Sequence, residues 1–259
     1  MLNIQHSMMT FLNLPASVVM ACHFTGIYDV NRNHVLNDDD FSLVKEWADS
    51  LRANKTVGIL FHNNFSEVTT ATYENKWLHF VKVEYHPDFN PNVYRYCIYH
   101  QFIQAHREQL THFFLTDVSD VVMVNNPFVD RFFFEQPQLI FCGDEPTQLN
   151  NPWMQDHGTH FRTQVPDYES VEAEHSNAVL LNCGIVGGHI NTMAGFVEAL
   201  WQFHQTYNRN NQTAYTGDMG AFNYLLRKEY ASVVYHGSPV NTIFKSYETE
   251  RTDCWFRHK

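Results

Sequence analysis

The most informative segment of the chain is Thr111-His-Phe-Phe-Leu-Thr-Asp-Val-Ser-Asp-Val-Val-Met-Val-Asn-Asn-Pro-Phe128. An apolar segment leads into two carboxylates, Asp117 and Asp120, and a second apolar segment leaves them. Open α/β sheets bind ligands beyond the carboxyl ends of their strands, so these acids fall at a predicted binding edge. Paired carboxylates there suit a hard divalent cation such as Mg²⁺ or Mn²⁺, which bridges and neutralises a diphosphate. The alternative is a solvated turn between two strands.

Short apolar runs alternate with helical patterns along the rest of the chain, which predicts an α/β fold. The predicted strands are 17–24, 56–61, 79–84, 111–116, 121–124, 138–142, 178–188, 231–235 and 253–257. The predicted helices are 92–104, 191–207, 217–229 and one ending at Leu51, for which Asn37–Asp40 supplies the cap and an acidic first turn.

The chain has no internal repeat and no Pro/Ser-rich linker, which predicts one domain over residues 1–259. Residues 143–177 are polar and too many for an ordinary connection, so they are predicted to form a long functional loop. Within it, Trp153 is predicted either to offer an aromatic face to an acceptor sugar or to pack in the core.

Composition bounds the class of protein. Hydrophobic residues make up 44% of the 259 residues, with 21 Phe, which is a globular composition. The formal charge of −11 comes from 17 basic and 28 acidic residues, so the electrostatic footprint of a nucleic-acid-binding protein is missing. We therefore expect no nucleic-acid partner, and a metal ion or a few placed cations wherever a phosphate is bound.

The five cysteines and the N-terminal apolar stretch indicate the cellular compartment of the protein. Five widely spaced cysteines without a Cys-x-x-Cys pair indicate buried free thiols in a reducing compartment. The apolar stretch Met8–Phe24 is interrupted by Asn13 and Pro15 and lacks a basic leader, so it predicts neither a signal peptide nor a transmembrane segment. The expected location is cytoplasmic.

Five further motifs accompany the acidic turn: Tyr94-Arg95, Leu181-Asn-Cys-Gly-Ile-Val-Gly-Gly188, Gly217-Asp-Met-Gly-Ala-Phe-Asn-Tyr224, His236-Gly-Ser-Pro-Val240 and Arg257-His-Lys259. In this order, over residues 16–259, they resemble the nucleotide-diphospho-sugar glycosyltransferases of the GT-A fold. The similarity is greatest to the glycogenin-like branch and to relatives with an Asp-Val-x-Asp-Val turn. The resemblance implies a single Rossmann-like domain with a mixed, mostly parallel sheet flanked by helices.

The resemblance also implies a hexosyltransferase-like activity with Mn²⁺ (or Mg²⁺), a UDP-sugar as the favoured donor and a saccharide or glycoconjugate acceptor. The implied metal ligands are Asp117, Asp120 and His258. Candidate donor-binding residues are Thr25, Gly26, Arg95, Asp117, His236 and Lys259, of which Thr25 and Gly26 are chosen only because they end the first strand. Asp218 and Asn182 are candidate catalytic residues at the sugar, and Glu145 follows a strand where it can bind acceptor hydroxyls or act as a general base.

The acidic turn departs from the usual Asp-x-Asp of these enzymes. Alignment on Val-Val-Met-Val places Asp120 at the second acid and Val118 at the first, so Asp117 is one residue early. Asp120 is therefore the expected direct ligand, while Asp117 binds the metal, a metal-bound water or ribose. The start of the late helix reads Gly-Asp-Met where relatives have Asp-Gln, which leaves the role of Asp218 open.

Each candidate has a structural alternative. Asp218 also suits a helix cap, Asn182 a bulged strand, Glu145 a solvated loop, His236 a turn and His258 a frayed chain end. Two functional alternatives share the topology. A sugar-nucleotide nucleotidyltransferase needs a Gly-rich basic loop after the first strand, which residues 25–31 lack. An inactive carbohydrate-binding protein does not need the intact acidic turn.

Overall fold

The computed structural model describes residues 13–29, 33–211 and 217–259. Residues 8–12 of the apolar N-terminal stretch and residues 30 and 31 of the loop after the first strand therefore lie outside the described part of the chain. In the described part, no helix combines the length and the apolar character needed to cross a membrane.

Strands and helices alternate as the apolar pattern predicts. The strands are β1 Ser17–His23, β2 Tyr28–Asp29, β3 His34–Val35, β4 Val57–His62, β5 Leu78–Lys82, β6 His112–Thr116, β7 Val121–Met123, β8 Ile140–Gln148, β9 Val179–His189, β10 Val234–His236 and β11 Phe256–His258. The α-helices are α1 Ser42–Ala53, α2 Glu67–Tyr73, α3 Pro91–Ala105, α4 Arg131–Phe134, α5 Pro152–Gln164, α6 Tyr168–Glu174, α7 Ile190–Tyr207 and α8 Asp218–Glu229. Short 3₁₀ turns cover Pro127–Val129 and Ala231–Val233, so the predicted strand 231–235 begins later than expected.

Seven strands form the central sheet in the order β10-β8-β9-β6-β1-β4-β5. Only β9 runs antiparallel to its neighbours, β6 and β8, while the other paired strands of this sheet are parallel. Helices cover the sheet, and the predicted class, α/β with a mixed and mostly parallel sheet, is confirmed.

The middle of the sheet is buried on both faces. Val18 and Met20 of β1 pack in one apolar cluster, and the alternate residues Val19 and Ala21 pack in a second cluster. Successive side chains of a strand point to opposite faces, so two clusters on one strand require helices on both sides. This explains why the sequence shows continuous apolar runs rather than alternation.

The acidic run before α1 contacts the start of that helix, where Asp40 Oδ1 accepts from the Ser42 N–H at 2.8 Å, but it does not form the first turn, so that part of the prediction is wrong. The N-cap of α1 is Phe41, without a side-chain hydrogen bond, and the first turn holds no acid. Asp39 instead accepts hydrogen bonds from the backbone N–H and the hydroxyl of Ser66, both at 2.8 Å. The run therefore ties two loops together at the start of α2.

The prediction of a long loop over residues 143–177 is also wrong. β8 continues to Gln148, because Gly143–Glu145 resume pairing with β9 after a register shift at Cys142. Asn151 then caps α5, with Pro152 in its first turn, and α6 follows. The segment looked polar because only one stripe of α5 is buried, on which Met154 and Phe161 lie.

The C-terminus forms a strand rather than a frayed end. β11 pairs antiparallel with β7, which places His258 opposite Val121. The last residues of the chain are thereby fixed beside the Asp117–Asp120 turn.

Candidate functional site

A cavity of about 720 Å³ opens at the carboxyl edge of β1 and β6. Its walls include seven of the residues predicted from the sequence: Arg95, Asp117, Asp120, Glu145, Asn182, Asp218 and His258. Four other predicted residues, Thr25, Gly26, His236 and Lys259, are not part of its lining. The sheet therefore brings together side chains that are up to 163 positions apart in the sequence, from Arg95 to His258.

Asp117, Asp120 and His258 form a cluster whose ligand atoms all lie within 4.8 Å of one another. The Nε2 atom of His258 is 3.8 Å from Oδ2 of Asp120, and the backbone N–H of Lys259 donates to the Asp120 carbonyl at 2.8 Å. His258 is 1% exposed, and the ring of Phe244 packs edge-on against it at 4.5 Å. The imidazole is therefore held in one orientation toward the carboxylates.

The cluster fits a divalent cation. Its donors are two carboxylates and one imidazole, a mixture that suits Mn²⁺ and, with more water ligands, Mg²⁺. The space beside them is kept by Gly184, where a Cβ atom would lie 2.7 Å from both Asp117 Oδ2 and His258 Cε1. A residue with a side chain at this position of β9 would therefore collide with the cluster, which explains the glycine.

Arg95 connects the cluster to Asp218, another acid of the cavity lining. Its buried guanidinium pairs with Asp117, lies 3.5 Å from Asp218 Oδ2 and donates to Cys183 Sγ at 3.2 Å. A buried charge is stable only when it is paired, and here one arginine is paired with two acids. Arg95 holds both carboxylates in place, and its contact with a donor stays a prediction.

Asp218 lies at the start of α8 and not at its cap. The N-cap is Gly217, whose φ of 73° is one that glycine adopts readily, so the cap alternative for Asp218 is wrong. Its buried carboxylate lies 4.0 Å from Nδ1 of His157 on α5. Sequence reasoning missed His157, because a single histidine in a polar segment carries no signal of its own.

Asn182 and Glu145 form a hydrogen-bonded pair across β8 and β9. Asn182 Oδ1 accepts from the Gly184 N–H at 2.6 Å, and its Nδ2 donates to Glu145 Oε1 at 2.7 Å. Burial raises the pKa of Glu145, and the hydrogen bond from Asn182 opposes this shift. The arrangement orients one carboxyl group, and its raised pKa makes the carboxylate a stronger proton acceptor than a free glutamate.

The four predicted residues outside the lining have structural partners. The Thr25 N–H donates to Asn63 Oδ1 at 2.9 Å, and Gly26 makes the turn that follows with φ of 69°. His236 Nδ1 lies 2.9 Å from Asp144 Oδ2, and the ammonium of Lys259 pairs with Glu46 on α1. Their predicted roles toward a donor stay predictions.

Acidic side chains dominate the cavity. Among the described residues, its lining contains Asp29, Asp117, Asp120, Glu145 and Asp218, against two cationic side chains, Arg95 and Lys245. Lys245 was not predicted from the sequence; it follows Phe244, the residue that packs on His258. This excess of carboxylates among the described lining residues favours an anionic ligand that binds together with a cation.

Comparison with known proteins gives a fold but no family. Neither a protein-family profile nor a curated protein sequence matches the chain. Among solved structures, the galactosyltransferase LgtC in complex with donor and acceptor sugar analogues aligns with a TM-score of 0.52 and 12% identity, over 93% of this chain and 86% of that one. A glycosyltransferase involved in the glycosylation of the major capsid of PBCV-1 aligns with a TM-score of 0.46 and 15% identity, over 94% and 93%. The likeness to the galactosyltransferase confirms the GT-A fold.

Proposed function

We propose that the protein is a metal-dependent glycosyltransferase, which moves a sugar from a nucleoside-diphosphate donor, with a UDP-sugar favoured, to a saccharide or glycoconjugate acceptor. The observation that carries the proposal is the cluster of Asp117, Asp120 and His258 in the wall of one large cavity. The galactosyltransferase that shares the fold supports it. The proposal includes a relation to the glycogenin-like branch, and the order of the sequence motifs alone supports that part.

The ion would be held by Asp117, Asp120 and His258, with Mn²⁺ preferred because an imidazole is among the donors. When bound, it neutralises the diphosphate leaving group. The acidic lining supports this role, since among the described lining residues Arg95 is already paired with two carboxylates and Lys245 is the other cationic side chain.

The chain's own residues position the reacting groups. Arg95 pairs with Asp117 on the donor side and lies 3.5 Å from Asp218 Oδ2, so one buried cation sets the spacing between the two acids. Glu145, oriented by Asn182, is placed to bind an acceptor hydroxyl and to accept its proton, which its raised pKa favours. Holding acceptor and donor in one cavity supplies proximity and excludes water from the donor.

We also propose that residues 1–259 act as one glycosyltransferase domain in a reducing compartment such as the cytoplasm. The central sheet draws strands from Ser17 to His236, and Phe256–His258 pairs with the strand beside the acidic turn, which supports a single unit. All five cysteines are free, which supports the compartment.

The experiment is a panel of nucleotide sugars with Mn²⁺, scored for release of nucleoside diphosphate and for the anomeric configuration of the product. We expect release with a UDP-sugar that stops when EDTA removes the metal. Release of pyrophosphate from a nucleoside triphosphate and a sugar phosphate would instead identify a nucleotidyltransferase. Nucleotide binding without turnover of any donor would identify an inactive carbohydrate-binding protein.

A further inference from the structure

One wall of the cavity carries two aromatic rings on the same helix. Trp153 and His157 lie four residues apart on α5, so they share one face, and their ring centroids are 3.9 Å apart at an angle of 40°. Both rings line the cavity, and Trp153 is 43% exposed, so the alternative that Trp153 packs in the core is wrong. A large ring left open on a cavity wall is surface that a ligand can cover.

His157 is fixed by its neighbours. It is 7% exposed, and its Nδ1 atom faces Oδ1 of Asp218 at 4.0 Å. Burial lowers its pKa, and Asp218 and Asp156 oppose this shift. The imidazole is therefore neutral near pH 7, and a neutral imidazole both donates and accepts hydrogen bonds.

The helix that carries the two rings is itself rigidly held. Asn151 caps its start by accepting from the Met154 N–H at 3.0 Å. Near its end, Arg162 forms a two-pronged contact with Glu172 on α6, at 2.8 Å from Nε and 2.7 Å from the terminal nitrogen. A surface that is ordered before a ligand arrives loses little entropy on binding.

We propose that Trp153 and His157 form the acceptor subsite, which binds a neutral pyranose ring against the indole and one of its hydroxyl groups at the imidazole. The assignment of this subsite to the acceptor rests on the proposed function, whereas the sugar-binding subsite itself is inferred from the geometry of α5. A pyranose presents a face of C–H groups that packs on an indole, and hydroxyls at its edge that need a polar partner. Trp153 supplies the aromatic face, and His157 supplies the polar partner for a hydroxyl group.

The charges around the two rings select an uncharged sugar. Asp218 and Asp156 act on His157 and oppose the lowering of its pKa, and Asp218 and Glu145 line the cavity. Among the described lining residues the cationic side chains are Lys245 and Arg95, and Arg95 is paired with two acids. A uronic acid or sialic acid would therefore meet like charge here, and a neutral hexose would not.

The test measures binding of methyl glycosides of glucose and galactose by saturation-transfer difference NMR, with methyl glucuronide as the anionic comparison. We expect Trp153→Ala to weaken binding of the best neutral glycoside by about tenfold. Trp153→Phe, which keeps a ring, restores part of it, and His157→Gln weakens binding without changing the melting temperature. Thr159→Ala, an exposed change on the same helix, is the matched control and binds as the wild type does.

Each outcome decides the proposal. Equal glycoside affinity in Trp153→Ala and Thr159→Ala would overturn it, and so would a wild type that binds no neutral glycoside at about millimolar concentration. Tighter binding of methyl glucuronide would overturn the selection for a neutral sugar. UDP binding with Mn²⁺ is measured in parallel: a protein that binds glycosides through Trp153 but binds no UDP keeps the subsite and loses the proposed function. If Trp153→Ala does not fold, Trp153→Phe and His157→Gln carry the same comparison.

Discussion

Gly184→Ala tests whether the space beside the Asp117–Asp120–His258 cluster is a metal site. The added methyl group would lie 2.7 Å from Asp117 Oδ2, 2.7 Å from His258 Cε1 and 2.9 Å from Asn182 Oδ1. The change adds no charge and removes no donor. Any effect on metal binding therefore comes from the displacement of the ligands.

The size of the displacement follows from these distances. Ordinary van der Waals contact begins at 3.4 Å, so two of the three neighbours must move by about 0.7 Å. Neither can swing away freely, because Asp117 is paired with Arg95 and His258 is packed under Phe244. Metal–ligand distances tolerate only about 0.2 Å, so we expect Mn²⁺ affinity to fall about 10- to 100-fold. The strain should lower the free energy of unfolding by about 1–3 kcal/mol, which leaves the protein folded.

The assay is titration of Mn²⁺ followed by electron paramagnetic resonance of the free ion, with thermal melting followed by circular dichroism. Gly195→Ala on α7 is the matched control, since its added methyl group would have no neighbour within 4 Å. This control should bind Mn²⁺ normally and gain about 0.5–1 kcal/mol of stability from its helical position. Equal Mn²⁺ affinity in the two variants would refute the assignment of the cluster.

Two further predictions concern stability. Thr116→Val should lower the free energy of unfolding by about 1–3 kcal/mol in urea titrations, because the buried Trp47 Nε1–H would lose its acceptor at 2.9 Å. The control Thr72→Val, on the exposed face of α2, should change the free energy of unfolding little. Equal values for the two variants would contradict a stabilising role of the Trp47–Thr116 hydrogen bond. Glu145→Gln should raise the free energy of unfolding at neutral pH, because the folded state raises the pKa of this carboxyl above its unfolded value of 4.5 and so disfavours the charged form. The gain should shrink as the pH falls through the folded-state pKa and vanish below the unfolded value of 4.5, and a gain that does not depend on pH would contradict it.

The sheet could be predicted from the sequence because its signals are local. Continuous apolar runs such as Ser17–His23 identify strands buried on both faces, and the acids after His112–Thr116 identify the binding edge. The Asp117–Asp120 turn and Asn182 were expected in one site and line one cavity.

Trp153 is predicted from the sequence as a candidate for an acceptor sugar, but the helices that form this wall of the cavity are not predicted, because their burial depends on long-range contacts. α5 and α6 are short and polar on their outer faces, and their burial depends on contacts with α8 that no window of sequence contains. His157 becomes notable only when α8 brings Asp218 to 4.0 Å from it. The tethering of Asp39 to Ser66 is missed for the same reason, since a cap and a cross-loop contact look alike in sequence.

The most direct test of the proposed function is calorimetric titration of UDP with and without Mn²⁺, in the wild type, Asp120→Ala and Asp49→Ala. Asp49 on α1 is the control, because its side chain is 39% exposed, as that of Asp120 is. We predict that Mn²⁺ strengthens UDP binding at least about tenfold in the wild type and Asp49→Ala, and not in Asp120→Ala. The melting temperatures should agree, because a partly exposed carboxylate adds little stability. UDP affinity that is independent of Mn²⁺ in the wild type, or equally dependent on it in Asp120→Ala, would contradict the proposed metal-dependent transfer.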